Sequence, residues 1–317
     1  MSKHILFPSI LNLKHLDKAF AGREIPSTLT FRGTVKLHGT HADLVYLGDN
    51  SFYVQSRNRV LTIDKDNDGC AAFFDDKKNY VNSLFDYCEK NIGTKNVMIA
   101  GEYCGRGIQS KVAICRLPKM FVIFGIKNLD TERWVDFSQY PDLSANNASI
   151  YNISLAPSYE ITIDMNNPEP AIEEINALTE NVDKECPFAG IFGVKGPGEG
   201  LVWTCVEKPT CTQLWFKTKG VSHCTPIPIP VQSGSNIDDI LARYLSEQRM
   251  QQGIDYLCEM NHDLSIKSIT VFSKWICDDI IKEESDDIID AGIKVTDARK
   301  TITFKACNWY RSYIKTK

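Results

Sequence analysis

A lysine between two strand-forming runs is the part of this chain from which its fold can be argued. Lys36 lies in the stretch 33–41, after a β-prone run at 28–35 and before another at 42–47. Gly39 supplies a turn between the two runs, so the pattern predicts a strand on each side of the turn. A lysine at a strand end can reach into a cleft while its backbone stays fixed, which suits a nucleophile. A surface lysine beside a hairpin turn is the simpler interpretation of this tetrapeptide taken alone.

Length and composition indicate a globular protein. The chain has 317 residues, enough for one large or two ordinary domains, and 43% of them are hydrophobic. We expect a cytoplasmic or otherwise intracellular protein that contacts no membrane, because the sequence has neither a signal peptide nor a long apolar run. The 11 cysteines include no Cys-x-x-Cys pair, which argues against a disulfide framework and a structural zinc site. The net charge of -4 means that any binding of nucleic acid depends on local basic patches.

Two charged residues follow further predicted strands. Arg57 follows a strand at 51–55, where its planar fork of donors can bind a phosphate or a carboxylate. Glu102 follows a buried strand that includes 97–100, where its carboxylate can accept from paired hydroxyls. Each is also compatible with an ordinary surface position. Between them, apolar spacing over 71–91 predicts one amphipathic helix whose aromatic side chains belong to the core.

The second half of the chain adds an acid and two lysines. Glu199 precedes a strand at 201–206 with alternating burial, and an acid there can bind Mg2+ directly or through water. A strand predicted at 213–219 places Lys217 and Lys219 on one face. Two ammonium groups on one face repel each other unless an anion lies between them, which favours a functional role.

These segments resemble, in order, the motifs of a known enzyme superfamily. Lys36-Leu37-His38-Gly39-Thr40 resembles motif I of the covalent nucleotidyltransferases, in the form typical of the RNA ligase 2 family of phage and RNA-editing ATP-dependent ligases. The further blocks are Ser56-Arg57-Asn58, Gly101-Glu102-Tyr103, Phe121-Val122-Ile123-Phe124, and Glu199-Gly200-Leu201-Val202-Trp203 followed by Lys217-Thr218-Lys219-Gly220. The resemblance covers residues from about 30 to 220 and rests on the order of the blocks, since each block alone is weak.

The resemblance implies an α+β fold. We expect a nucleotidyltransferase (ATP-grasp-like ligase) domain of antiparallel sheets with flanking helices at 1–225, followed by a small all-helical domain at 237–317. The stretch 226–236 contains alternating prolines and a Ser-Gly-Ser segment, which predicts a linker. After it, helical patterns begin at Asn236 and recur at 265–290 and 296–316.

The implied activity is that of an ATP-dependent RNA ligase for RNA repair or nick sealing. Such an enzyme joins RNA 3'-hydroxyl and 5'-phosphate ends through a lysine–AMP intermediate, here on Lys36, and an adenylylated RNA. The implied cofactors are ATP and Mg2+ or Mn2+, and we expect a monomer, with a virus or phage protein expressed in a host cell as one compatible origin. The implied catalytic residues are Lys36, Lys217 and Lys219, and the implied metal ligand is Glu199. The implied nucleotide-binding residues are Val35, Lys36, His38, Gly39, Arg57, Glu102, Phe124, Glu199, Lys217 and Lys219.

Individual roles also follow from the resemblance. Glu102 would hydrogen-bond the ribose hydroxyls, Phe124 would stack on the adenine, and Arg57 would contact the nucleotide or the RNA end. The chain departs from the family at Gly125, where an acid often follows the aromatic residue, so a contact made by that acid is in doubt.

Several alternatives stay open. DNA ligases and mRNA capping guanylyltransferases share the nucleotidyltransferase fold but are normally followed by an OB-fold, whereas this chain continues with helical patterns. A non-catalytic RNA-end-binding protein is a further alternative, although such a protein would more readily have lost Lys36. The basic segment 298–317 carries Trp309, Tyr310 and Tyr313, which either track an RNA backbone or face the core of the helical domain.

Overall fold

A computed structural model describes residues 3–13, 16, 20, 26–220, 241, 244–290 and 292–316. The chain forms two compact units, Met1–Ser222 and His223–Lys317. The linker predicted at 226–236 and the helical pattern that begins at Asn236 lie outside the described residues. Within the described part, every helix is too short or too polar to cross a bilayer.

The first unit is an α+β domain, as predicted. Its strands are β1 (Leu11–Asn12), β2 (Thr28–Lys36), β3 (Thr40–Gly48), β4 (Ser51–Ser56), β5 (Val60–Leu61), β6 (Val97–Cys104), β7 (Met120–Asn128), β8 (Arg133–Trp134), β9 (Ile150–Asn152), β10 (Tyr159–Asp164), β11 (Gly200–Cys205) and β12 (Phe216–Lys219). Its helices are α1 (Cys70–Asp75), α2 (Lys78–Ile92), α3 (Glu169–Lys184) and α4 (Pro187–Ile191). The cysteines of the described residues are free thiols.

The first sheet has the strand order β1-β12-β11-β2-β10, and its pairs are antiparallel except β1 with β12. Burial alternates along β2, so that Phe31 and Val35 face a core shared with Ile175 of α3. Lys36 ends the strand on the opposite face. β11 pairs with β2 as far as Lys36, whereas β10 pairs with residues 28–33 on the other side, so the lysine backbone is held by β11.

The second sheet has the order β5-β4-β3-β6-β7-β8, with β9 parallel to β7. One face packs on α1 and α2 through Phe74 and Phe85. The other face packs on Phe7, Trp134 and Trp215. Both faces of β6 are therefore covered, which explains the uninterrupted apolar residues that precede Glu102.

The prediction of one continuous helix over 71–91 is wrong. The chain forms α1 and α2 instead, and Lys77 separates them with φ -114° and ψ 22°. Neither glycine nor proline stands at this break, so the apolar spacing continues across it and could not reveal it. The aromatic side chains of the two helices do belong to the core, as expected.

Residues 3–12 form an N-terminal strap that joins the two sheets. The backbone N–H of Ile5 donates to Gln55 Oε1 at 2.9 Å, and Gln55 Nε2 donates to the carbonyl of Ile5 at 2.6 Å. Farther along, Leu11 pairs with Phe216 in β12. Phe7 lies between these anchor points and packs in the core on the second sheet. The uneven leucine spacing of this segment did not predict its role.

The described elements of the second unit are helices, as predicted. They are α5 (Glu247–Glu259), α6 (Ile269–Asp290) and α7 (Val295–Lys315), together with a short 3-10 turn before α6. The helices predicted at 265–290 and 296–316 are thus confirmed, whereas α5 was missed.

The aromatic residues of α7 belong to the core of the second unit. Tyr310 is fully buried, and its ring stacks on Phe272 with 4.7 Å between centroids. Trp309 stacks on the same ring, and Tyr313 stacks on Trp309. Of the two alternatives for these side chains, the structure therefore favours the core. The aromatic residue that α7 exposes is Phe304, at 65%.

Candidate active site

Three residues on neighbouring strands form one row across the first sheet. Lys36 of β2 lies opposite Gly200 of β11, and Gly200 lies opposite Lys219 of β12. Directly opposite residues share a face, so the two lysines flank a position without a side chain. A Cβ on Gly200 would come within 2.1 Å of the Thr218 carbonyl oxygen, and its φ is +151°, so glycine is required there. The row therefore places two cationic side chains on either side of a glycine.

Glu199 binds both lysines of this row. Lys36 Nζ donates to Glu199 Oε2 at 2.6 Å, and Lys219 Nζ lies 3.2 Å from Oε1. His38 Nδ1 lies 3.5 Å from Oε2. The Glu199 side chain is only 3% exposed. Burial alone would raise the pKa of Glu199, but Lys36 and Lys219 outweigh this effect and hold its pKa well below the usual value.

An anion was expected between Lys217 and Lys219. The structure places the ionised carboxylate of Glu199 between Lys219 and Lys36 instead. Lys217 lies one row farther along the same face, opposite Val202. The predicted strand at 213–219 starts too early, because residues 212–214 form a 3-10 turn and β12 begins at Phe216. The shared face of Lys217 and Lys219 is unaffected by this correction.

A buried hydroxyl pair fixes β12 from beneath. Thr218, between the two lysines, points into the core, where its Oγ1 lies 2.7 Å from Thr179 Oγ1 of α3. The indole N–H of Trp203 donates to Thr218 Oγ1 at 3.1 Å. The Thr179 hydroxyl donates in turn to the carbonyl of Ile175 at 2.7 Å. This support was not predicted from the sequence. The position of Thr218 between two outward lysines was an available signal, but no local pattern distinguished Thr179.

The turn after Lys36 packs closely on β6. The Gly39 N–H donates to Glu102 Oε1 at 2.8 Å. A Cβ on Gly39 would come within 2.4 Å of the Tyr103 carbonyl oxygen, so only glycine allows this approach. Loss of hydration raises the pKa of Glu102, although Lys36 opposes this effect. The structure therefore brings Glu102 beside the motif I turn.

Phe124 is half-buried beside the N-terminal strap. Its ring meets the Phe7 ring edge-on, with 5.8 Å between centroids, and lies 5.9 Å from the His41 ring. The glycine that departs from the family pattern lies against an indole ring. A Cβ on Gly125 would lie 3.1 Å from the Trp134 ring, which covers this position where the family often has an acid.

A buried polar pair under Phe124 was also missed. Asp43 is fully buried, and its Oδ2 accepts from Gln55 Nε2 at 2.8 Å. His41 Nε2 lies 2.9 Å from Asp43 Oδ1, and the His41 ring packs on Phe7 with 4.5 Å between centroids. The spacing of two along a strand places both side chains on one face, and this signal was available in the sequence.

Two residues implied by the resemblance stand apart from this group. Val35 is buried in the core beneath the sheet, so that only its backbone faces the row of lysines. Arg57 is exposed just beyond β4 and makes no ion pair within the described ranges. Its guanidinium is thus free to bind an anion that enters from solvent.

The side chains suit a metal ion that arrives with a phosphate. In the part of the chain that the structure describes, no three His, Cys, Asp or Glu side chains are placed to hold a metal. Glu199 offers one carboxylate beside two ammonium groups. Mg2+ accepts such a site, because it binds through one or two carboxylates and takes its other oxygens from phosphates and water. The surplus positive charge of the row suits the phosphates themselves.

Solved structures of Naegleria gruberi RNA ligase resemble this chain at low identity. A variant with AMP and Mn has 18% identity and a TM-score of 0.48, covering 69% of this chain and 57% of that chain. A variant with ATP and Mn has 18% identity and a TM-score of 0.46, covering 68% and 56%. The ligase with PPi has 18% identity and a TM-score of 0.43, covering 69% and 57%. This chain thus spans less than two thirds of the length of those ligases.

A family model matches the sequence of the first unit. No curated protein matches the chain. The family whose model matches is described as RNA ligase, and the match runs over residues 29–219, more than half of the chain. That range contains both sheets' central strands, the row of lysines, Glu102 and Phe124. The chain therefore belongs to the RNA ligase family.

Proposed function

We propose that this protein is an ATP-dependent RNA ligase that works through a lysine–AMP intermediate on Lys36. One observation carries the proposal: in a chain of the RNA ligase family, Lys36 ends a rigid strand 2.6 Å from a buried carboxylate that also binds Lys219. Its substrates would be ATP and RNA with 3'-hydroxyl and 5'-phosphate ends, and its role would be RNA repair or nick sealing. We further propose that it acts as a monomer.

The first step would form a bond between Lys36 Nζ and the α-phosphorus of ATP. The bond from that phosphorus to the pyrophosphate oxygen breaks, and the amine loses its proton to solvent. Lys36 is placed for this attack because it ends β2, where pairing with Gly200 of β11 fixes its backbone. Lys219 and Lys217 would neutralise the charge that develops on the phosphate oxygens.

The next two steps would use the same phosphorus. An oxygen of the RNA 5'-phosphate displaces Lys36 from the AMP phosphorus, which gives adenylylated RNA. The RNA 3'-hydroxyl then attacks the 5'-phosphorus and releases AMP, so that a phosphodiester bond replaces the phosphoanhydride. In these steps the lysines of β12 would still bind phosphate, whereas Lys36 is the leaving group and then a bystander.

Nucleotide recognition would use the surrounding residues. Glu102 is held at the motif I turn by Gly39, where its carboxylate can accept from ribose hydroxyls. Phe124 offers a ring face for the adenine, and Arg57 a free guanidinium for phosphate. A divalent metal, when bound, would supply charge neutralisation at the phosphates. Glu199 would hold it, and His38 beside Glu199 would orient the carboxylate.

The test is covalent labelling of the protein with α-labelled ATP and a divalent metal. We expect wild type to become labelled with AMP and Lys36→Ala to remain unlabelled. Lys90→Ala is a matched control, because Lys90 has the same spacing to a glycine, Gly93, but lies exposed on α2. It should label like wild type.

Three results would reject or redirect the proposal. Labelling that survives Lys36→Ala would reject Lys36 as the nucleophile. Labelling from GTP in preference to ATP would favour a capping guanylyltransferase, and sealing of DNA in preference to RNA would favour a DNA ligase. The described part of the second unit, which is helical, speaks against both, since an OB-fold is a β-barrel.

A further inference from the structure

Two loops of the first unit carry positive charge and no negative charge. They comprise residues 105–119, between β6 and β7, and residues 192–198, before β11. Their basic residues are Arg106, Lys111, Arg116, Lys119 and Lys195. Neither loop contains an aspartate or glutamate, although the whole chain has 40 acids against 36 lysines and arginines. The local charge is therefore opposite in sign to the charge of the protein.

The two loops are bonded to each other and form one surface, here named the basic rim. The Ala113 N–H donates to the carbonyl of Pro197 at 2.7 Å. The Arg116 guanidinium donates to the carbonyl of Lys195. Ile108 and Val112 are buried and anchor the first loop in the core. Hydrogen bonds and buried side chains therefore hold the basic rim in place.

The basic rim borders the candidate active site at both of its ends. Its first loop begins three residues after Glu102, on the strand end that packs against the motif I turn. Its second loop ends at Gly198, immediately before Glu199. A chain of phosphates that leaves the row of lysines on this side therefore meets the rim.

Three of the cations are available to a ligand. Arg106, Lys111 and Lys195 are exposed, and within the described residues their side chains make no ion pair or hydrogen bond. Lys119 is engaged instead, by the carbonyl of Asp68 and by the Tyr103 ring. Lys111 has a φ of +69° and Gln109 a φ of +58°, a left-handed conformation that non-glycine residues adopt at an energetic cost. Such strain is concentrated at binding and catalytic segments.

We propose that the basic rim binds the phosphate backbone of the RNA strand whose 5'-phosphate enters the site. This inference rests on the proposed function. The rim cations lie apart on two loops and suit an extended polyanion, with one phosphate to each contact. A compact triphosphate requires converging donors, as Lys36, Lys217 and Lys219 provide on one sheet face. The basic rim would therefore bind RNA phosphates, whereas the lysines of the first sheet would bind the phosphates of ATP.

The experiment compares full-length wild type with the double variant Arg106→Gln/Lys111→Gln. The probe is a nicked RNA duplex carrying a 5'-adenylylate, with gel-shift affinity measured over a series of salt concentrations. Each lost phosphate contact lowers the slope of log affinity against log salt by about one. We expect the slope to fall by about two and affinity at low salt to fall about tenfold or more, while AMP labelling from ATP stays at the wild-type level.

Lys90→Gln is the matched control, because Lys90 is exposed and outside the basic rim. It should leave the slope unchanged. An unchanged slope in the double variant would overturn the proposal. So would reduced AMP labelling with an unchanged slope, which would place the ATP triphosphate on the rim. Failure of wild type to become labelled would reject the ligase function, while the slope would still report whether the rim binds RNA.

Discussion

Glu199 combines two properties that rarely occur together, since it is buried and yet held ionised. The two ammonium groups that hold it are the groups expected to meet the phosphates of ATP and RNA. The carboxylate thus keeps the site charged and ordered before any substrate enters. A ligand phosphate or a metal ion would have to rearrange these ion pairs, so part of the binding energy is used for this exchange.

The depressed pKa of Glu199 predicts an acid-dependent contribution to stability. A group whose folded-state pKa is lowered stabilises the fold above its unfolded value, about 4.3 for glutamate, and loses this effect as pH falls through the folded value. Wild type should therefore exceed Glu199→Gln in free energy of unfolding at pH 7, and the difference should shrink below about pH 4.3. Urea unfolding of both proteins between pH 3 and 7 measures this, and a difference independent of pH would contradict it.

Variants of Lys36 and variants of the two β12 lysines should seal RNA at different rates when the first step is bypassed. Given adenylylated nicked RNA without ATP, Lys36→Ala should retain sealing, because Lys36 attacks nothing after the first step. Lys219→Ala or Lys217→Ala should seal about tenfold more slowly or worse, because phosphate is present in every step. Single-turnover rates test this, with each variant first shown to be folded by its thermal transition. Sealing at the wild-type rate by the β12 variants would limit their role to ATP or to structure.

Sequence reasoning at this scale succeeded where a residue's position on a strand determined its surroundings. Lys36 and Lys219 end their strands, and Glu199 immediately precedes β11. Glu102 was expected just after its strand but lies inside β6, which continues to Cys104. Sequence reasoning could not show that Glu199 binds both lysines, because that depends on the register of three strands distant in sequence. The contact of His41 with Phe7 is equally non-local.

At the scale of elements, β12 carries two of the proposed catalytic lysines on four residues. A strand this short has few backbone bonds, so its position depends on side chains beneath it. The Thr218 hydroxyl supplies this support by joining α3 and Trp203 to the strand. Its burial, at 8% exposure, keeps water from replacing these bonds.

Removal of that hydroxyl should destabilise the first unit. Thr218→Val keeps the shape of the side chain but leaves the Trp203 N–H without its acceptor, which should cost about 1–3 kcal/mol in free energy of unfolding. Urea unfolding measures the loss. Thr179→Val and the double variant complete a cycle, in which the coupling between the two hydroxyls should be about 0.5 kcal/mol or more. Additive effects would mean that the pair does not act as a unit.

Element boundaries show what local sequence can and cannot predict. Strands with strict alternation, such as β2 and β11, were predicted within a residue or so because one face is core. The break between α1 and α2 was invisible, because apolar spacing and helix-forming residues continue through Lys77. The late start of β12 depends on a turn that no glycine or proline marks.

For the whole molecule, we expect the first unit to perform the chemistry and the second to contribute to RNA binding. The first unit contains every residue proposed for chemistry, whereas the second presents exposed side chains on α7. The exposed residues Lys300, Phe304, Arg311 and Lys315 recur at helical spacing on that helix. We therefore expect this surface to contact RNA in place of the aromatic residues first considered, which lie in the core.

A chain that ends at residue 235 should therefore keep its reaction with ATP and lose part of its affinity for RNA. It should still label itself with AMP, because the row of lysines is complete within Met1–Ser222. Its affinity for adenylylated nicked RNA should fall, and the salt dependence should weaken as the phosphate contacts of α7 are lost. Gel shifts at two salt concentrations measure both quantities. Unchanged affinity with an unchanged slope would identify the second unit as a structural or partner-docking module.

The pairing of β1 with β12 also determines when this protein can become active during synthesis. Leu11 leaves the ribosome early, but its partner Phe216 follows about 200 residues later, and Lys219 later still. The first sheet cannot close, and Lys36 cannot meet Lys219, until almost all of the first unit has been made. Contacts so distant in sequence make folding slow, since a large loop must close before they form. If Lys36 is the nucleophile proposed above, a nascent or prematurely terminated chain would carry it without Lys219 and would not consume ATP unproductively.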